Sequence, residues 1–178
     1  MRKGEADIGF FAIDPARSDG ASFSTPYVNI HGAYAVRENS PIKKIADVDQ
    51  AGVRISVGNN SAYDLFLKRE IKNATLVRSP TSQTVVAQFM DQNLEVAANV
   101  RQQLEADMAR QPAGTMRMLP GNFMTINQAM ALSGGRDASA STYLTQFVEE
   151  MKSSGFVAEA LKRHGIQGAL VAPAGGVK

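Results

Sequence analysis

Arg17 is the side chain whose position says most about chemistry. It follows the apolar run Ile8-Gly9-Phe10-Phe11-Ala12 by five residues and precedes Phe23-Ser24-Thr25-Pro26-Tyr27 by six. A guanidinium is always charged and offers a rigid fork of donors that fits a carboxylate. A second set of polar groups is Gly58-Asn59-Asn60-Ser61, set between a strand pattern and a helix pattern. A turn of that kind, at the carboxyl end of a parallel strand, offers backbone N–H groups and a hydroxyl to an anion. The third is Asn99, just beyond the apolar run Leu94 to Ala98. It either gives a neutral hydrogen bond to a ligand or caps the helix that follows.

No catalytic set accompanies them. The sequence has no Gly-x-Ser-x-Gly and no phosphate loop, and its two histidines, His31 and His164, are far apart. It has no cysteine, which excludes disulfides, thiolate metal sites and a cysteine nucleophile. Glu5 and Asp7 share a face if they lie on a strand, but a pair at a strand start reads as solvated. No cofactor motif and no metal-ligand spacing appear. The net charge is only +2, and the basic residues are scattered in pairs such as Lys43-Lys44 and Lys68-Arg69. That pattern does not suit a phosphate backbone, so no nucleic-acid partner is expected. Hydrophobic residues make up 44% and charged residues 20% of 178, the composition of a folding globular chain. No apolar run is long enough to cross a membrane as a helix.

The elements that must hold these residues follow from periodicity and turn chemistry. Ala6 to Ile13 reads as a strand buried on both faces. Tyr27 to Val36 reads as a long strand, and Ile42 to Asp49 as a short helix. A βα repeat comes next. Its strands are Val53–Val57, Thr75–Arg78, Leu94–Ala98 and Thr115–Leu119. One helix starts at the capping pattern Ser61-Ala62-Tyr63-Asp64, one at Ser79-Pro80, and one at Asn99 with Val100, Leu104 and Met108 on its face. Phe123 to Leu132 is a second long strand. Asp137 caps a helix carrying Tyr143, Leu144, Phe147, Val148 and Met151, and a last helix carries Phe156, Val157, Ala160 and Leu161. Ala172 to Gly176 reads as a loose tail. The eight methionines read as core filler. Strands alternating with helices imply a mainly parallel α/β sheet. The two long strands bracket a complete α/β unit, so the chain crosses twice between two lobes. Lobe 1 is expected at 1–37 and 122–178, and lobe 2 at 38–121.

Arg17 with Phe23-Ser24-x-Pro26-Tyr27 closely resembles the ligand-anchoring segment of the family 3 bacterial extracellular solute-binding proteins. These are the periplasmic receptors of amino-acid ABC importers, and the resemblance extends over roughly Gly4 to Pro173. It implies the type 2 periplasmic-binding fold, with two lobes of parallel or mixed sheet joined by two hinge strands. It also implies capture of a small carboxylate-bearing solute, an amino acid or related, for delivery to the membrane subunits of the importer. The resemblance puts Arg17 on the solute carboxylate. Asn60 and Ser61 match the family's second anion-binding turn. Phe10 is either an apolar wall or core. Ala12 stands where many members have Ser or Thr, so only its backbone remains to bond a ligand. His31, Asn127 and Gln128 lie on the putative hinge strands.

The match has departures. The acidic residue that pairs with an α-ammonium in this family falls at Val100, beside Asn99. A solute other than a simple zwitterionic α-amino acid is therefore expected. Two other readings share the architecture: a dehydratase-like enzyme, and the effector domain of a LysR-type regulator. Met1-Arg2-Lys3 is not followed by an export-signal core, and a family member would carry a signal and a first βαβ portion of lobe 1 before this segment. The expectation is an incomplete lobe 1 through which the chain self-associates, solute binding that is weak or absent in this form, and an extracytoplasmic location for the full-length protein.

Overall fold

The computed structural model describes residues 6–175. Glu5 and Gly176 therefore lie outside the described residues. Within them are eight strands and five α-helices, with strand order β1-β7-β2-β5-β3-β4. The chain divides into two compact units. Unit 2 is His31–Thr125, and unit 1 is formed by the described residues on either side of it.

Unit 1 begins with β1 (Ile8–Ala12), which pairs antiparallel with β7 (Met124–Ser133) from Ile8↔Leu132 to Ala12↔Gln128. The strand starts two residues later than its apolar run suggests, and it is not buried on both faces. Ile8, Phe10, Phe11 and Ile13 are all exposed. The reason is position: β1 ends the sheet order, and β7 is its one strand partner among the described residues. β2 (Ala21–Arg37) is longer than its Tyr27–Val36 core because Phe23-Ser24-Thr25-Pro26 continues the strand. Its first half belongs to unit 1 and its second half to unit 2.

Two helices complete unit 1. α4 (Ala138–Ser153) is capped by Asp137, whose carboxylate accepts from the Ala140 N–H at 2.9 Å. α5 (Phe156–Arg163) follows Gly155, which sits at φ 81°, a turn only glycine makes cheaply. Leu144, Val148 and Val157 are buried, but Tyr143, Phe147 and Phe156 on the same expected faces are exposed. β8 (Leu170–Val171) pairs with β2, an element not expected because a strand of two residues has no periodicity to read. The expected tail begins just after it, and its first residue, Ala172, is buried and donates its N–H to the Tyr27 carbonyl.

Unit 2 is a parallel α/β layer. β3 (Arg54–Gly58) lies between β4 (Thr75–Ser79) and β5 (Val96–Val100), parallel to both. β5 and β6 (Met116–Met118) pair antiparallel with the second half of β2. α1 (Ala62–Glu70), α2 (Val85–Asp91) and α3 (Arg101–Met108) close the layer. Val85, Val86, Phe89, Leu94, Ala97 and Leu104 form a core with almost no exposure. The expected helix at Ile42–Asp49 is a single 3-10 turn, Ile45–Asp47, whose start is capped by the Asp47 carboxylate accepting the Lys43 and Lys44 N–H groups. The helix expected at Ser79-Pro80 begins later. Ser79 completes β4, a 3-10 turn covers Ser82–Thr84, and α2 starts at Val85. The Thr84 hydroxyl bonds Ser79 and Thr81 and holds that turn.

Candidate functional site

In unit 1 the sequence places Arg17 by a short mechanism. Asp14 is buried, and its carboxylate accepts from the Ala16 N–H at 2.9 Å, with Pro15 in the first position of the 3-10 turn Pro15–Arg17. The Arg17 N–H closes the turn on the Asp14 carbonyl at 2.9 Å. This fixes the base of the Arg17 side chain relative to the end of β1. Its Nη1 donates to the Ala12 carbonyl at 3.3 Å. Ala12 therefore meets Arg17 through its backbone, the one route alanine leaves open. Arg17, Asp19, Phe11 and Phe23 border a hollow of about 400 Å³. Ser24 supports this region from behind: its Oγ donates to the Thr25 carbonyl and accepts from the Met130 N–H.

Phe10 is elsewhere. Successive residues of a strand face opposite sides, and Phe10 lies against Tyr27 at 6.1 Å, ring edge to face. It borders a different hollow, of about 870 Å³, with α4 and α5. At 63% exposure it is not core, and it does not share the Arg17 hollow.

In unit 2 the polar groups gather at the carboxyl ends of β3, β4 and β5. Ser61 is the N-cap of α1, its Oγ accepting from the Asp64 N–H at 3.0 Å. Asp64 in return accepts from the Asn60 N–H at 2.9 Å, one residue earlier than an ideal capping box, and pairs with Arg78 at 3.0 Å. Asn60 has a φ of 57°, which asparagine tolerates better than most side chains. Asn99 is fully buried and is not a helix cap. It is the fourth residue of β5; its Nδ2 donates to the Ser82 carbonyl at 2.7 Å and its Oδ1 accepts from the Val100 N–H. Val100 takes the cap position of α3 with no side-chain bond.

Two residues complete this cluster that the sequence reading did not propose for the site, Tyr63 and Ser82. The Tyr63 hydroxyl donates to Ser82 Oγ at 2.7 Å, and burial raises the Tyr63 phenol above its ordinary range, so it stays protonated. Ser82 thus accepts from Tyr63, and its own proton remains to be donated. Gly58 lets them approach: a Cβ there would stand 2.7 Å from Tyr63 Oη and 3.0 Å from Ser82 Oγ. The signal in the sequence was Thr81-Ser82, hydroxyls after a parallel strand as Ser61 is. Reading Ser79-Pro80 as a helix start hid it.

The residues expected on hinge strands have a different character. Asn29 Oδ1 and Asn127 Oδ1 in unit 1, and His31 Nδ1 in unit 2, are buried without a hydrogen-bond partner. Buried polar atoms left unpaired are costly, so such atoms mark places where a ligand or water supplies the partner. Among the described residues no group of His, Asp and Glu is arranged to hold a metal ion, and no helix is long and apolar enough to cross a membrane.

The fold has many counterparts among solved structures. A putative binding component of an ABC transporter from Wolinella succinogenes, complexed with lysine, matches at TM-score 0.75 and 20% identity, over 90% of this chain and 70% of that one. A solute receptor for L-cysteine of Neisseria gonorrhoeae matches at 0.75 and 19%, over 91% and 65%. An ancestral amino-acid-binding protein, a precursor of cyclohexadienyl dehydratase, matches at 0.73 and 15%, over 91% and 69%. No protein-family model matches the sequence, and no curated protein matches it. At these identities the likeness establishes the fold: this chain has the α/β architecture of the periplasmic binding proteins, the fold class that the sequence implied.

Proposed function

We propose that the chain is the solute-binding component of an ABC importer and takes a small carboxylate-bearing solute, an amino acid or a related compound. The observation that carries this reading is Arg17. It is a cation held at a strand end by a buried aspartate and a 3-10 turn, bordering a hollow with two aromatic rings. In this reading Arg17 receives the carboxylate. In unit 2 the hydroxyls of Ser61 and Ser82, with Tyr63 and Asn99 holding Ser82 in place, form a second polar cluster suited to neutral hydrogen bonds. Shielding Arg17 from water strengthens its pairing with an anion. The buried oxygens Asn29 Oδ1 and Asn127 Oδ1 suit a solute that also bears N–H donors.

Asn99 and Val100 put no carboxylate where an α-ammonium would need one. The preferred solutes are then carboxylates with a neutral nitrogen or none, or amino acids whose ammonium is held by other groups. The partners are the importer's membrane subunits, and the place of action is outside the cytoplasm. The two lobes of this reading are 1–37 with 122–178, and 38–121. A dehydratase-like activity is less well supported: one structural neighbour is a precursor of such an enzyme, whereas the other two are a binding component and a solute receptor. A LysR-type effector role has no observation in its favour.

A thermal-shift panel tests the reading. Millimolar carboxylates should raise the melting temperature, and their primary amides should not. No shift with any carboxylate, or equal shifts with the amides, would refute it.

A further inference from the structure

Every large hydrophobic residue that is exposed among the described residues lies in unit 1: Ile8, Phe10, Phe11, Ile13, Tyr143, Phe147, Phe156, Ile166 and Leu170. Four of them, Phe10, Phe147, Phe156 and Ile166, rim the hollow of about 870 Å³. Its floor is Tyr27, Val28 and Val148. Isolated surface hydrophobics are ordinary, but a contiguous apolar patch of several hundred Å² marks an interaction surface.

The patch adjoins a sheet edge that has no strand partner among the described residues. The Ser133 N–H donates to the Asp7 carbonyl and the Ile13 N–H to the Asn127 carbonyl, so the odd-numbered residues of β1 face β7. The even-numbered residues, Ile8, Phe10 and Ala12, then turn their N–H and C=O groups to the outer edge. The Ala12 carbonyl, the last of them, already accepts from Arg17 Nη1. Ile8-Gly9-Phe10-Phe11-Ala12 contains no lysine, proline or inward charge, the usual protections of an edge strand.

We propose that unit 1 is a self-association surface, on which a second copy of this chain docks with β1 antiparallel to β1 about a two-fold axis near Phe10. Antiparallel pairing of a strand with itself is closed by a two-fold, so one surface serves both copies. Phe10 then faces its counterpart, and the rim residues of each copy cover the hollow of the other. The apolar area goes much of the way. At roughly 150–250 Å² for a whole large side chain, the exposed fractions of the four rim residues and Ile8 present on the order of 500 Å². A standard interface uses about 800 Å² per partner. The backbone bonds of the new strand pair and the rest of the contact supply the remainder.

The proposal does not depend on the solute. Light scattering after size exclusion, across a concentration series, should show a dimer of the wild-type chain. Phe10→Lys and Phe156→Lys should each weaken it by at least tenfold with an unchanged circular dichroism spectrum; the second change sits on the surface of α5 and spares the sheet. Slow hydrogen exchange of the Ile8 and Phe10 amides should appear only in the dimer. A monomer at all concentrations would overturn the proposal, whether the groove is then open or covered by another polypeptide or an apolar ligand. So would a dimer that survives both substitutions.

Discussion

Units 1 and 2 draw on similar residues and treat them differently. Of the twelve largest fully buried side chains, all but Ile126 belong to unit 2, whereas all nine exposed large hydrophobics belong to unit 1. Both units have a sheet and helices with apolar faces. In unit 2, helices and neighbouring strands close around β3, so Ile55 and Val57 have no exposure at all. In unit 1, β1 has a partner on one edge only, and α4 and α5 carry aromatic residues that reach solvent. The difference teaches that an apolar pattern specifies which residues seek cover, not whether cover is present. It also separates two kinds of surface: unit 2 holds a packed set of hydroxyls, and unit 1 holds a cation and exposed apolar side chains.

Substitutions can break or sharpen that contrast. The largest effect is expected from Phe89→Ala, which empties a fully buried site in unit 2 and should cost about 3–5 kcal/mol of stability. Phe156→Ala in unit 1 should cost under about 0.5 kcal/mol in the monomer, as for other surface changes. Urea unfolding of both measures the difference, and equal losses would erase the contrast. Next is Gly58→Ala. The added carbon would meet Tyr63 Oη and Ser82, neither of which can swing away cheaply, and about 1–3 kcal/mol should be lost. Ser61→Ala removes the cap of α1 and should cost about 1 kcal/mol.

The smallest effect is electrostatic, and both units contribute. In unit 2 the Arg54 side chain, bonding Glu95, holds that carboxyl below its usual range. In unit 1 the Lys152 ammonium, with the Thr25 hydroxyl, does the same for Glu149. A depressed carboxyl adds stability that is present above its ordinary pKa and is lost as pH falls through the lowered one. Acid titration of the unfolding free energy should therefore show a decline on the acid side of the carboxylate range. Glu95→Gln should reduce its slope slightly, since this pair is largely exposed.

Much of this was readable in the sequence because it was local. Ser61 and Asp137 cap their helices as their spacing implied. The two long strands were visible as β-branched and aromatic runs, and their antiparallel entry into the sheet sets off the parallel unit between them. What escaped was set by distant partners. Asn99 has the chemistry of a cap, but the Ser82 carbonyl lies opposite its amide and holds it in the strand. Pro80 looked like the first turn of a helix, yet the Ser79–Thr84 hydroxyl bonds delay that helix to Val85. The exposure of Phe10 depends on what flanks β1, and no pattern within five residues encodes that.

The most direct measurement of the central claim is calorimetry of Arg17→Ala beside the wild-type chain, with the carboxylate that gives the largest thermal shift. Truncating one partner of a buried charge pair costs about 2–5 kcal/mol, so affinity should fall by roughly 30-fold or more. Circular dichroism should be unchanged, because Arg17 ends a three-residue 3-10 turn and lies outside every strand and α-helix. Equal affinity in the two proteins would show that the carboxylate is held elsewhere.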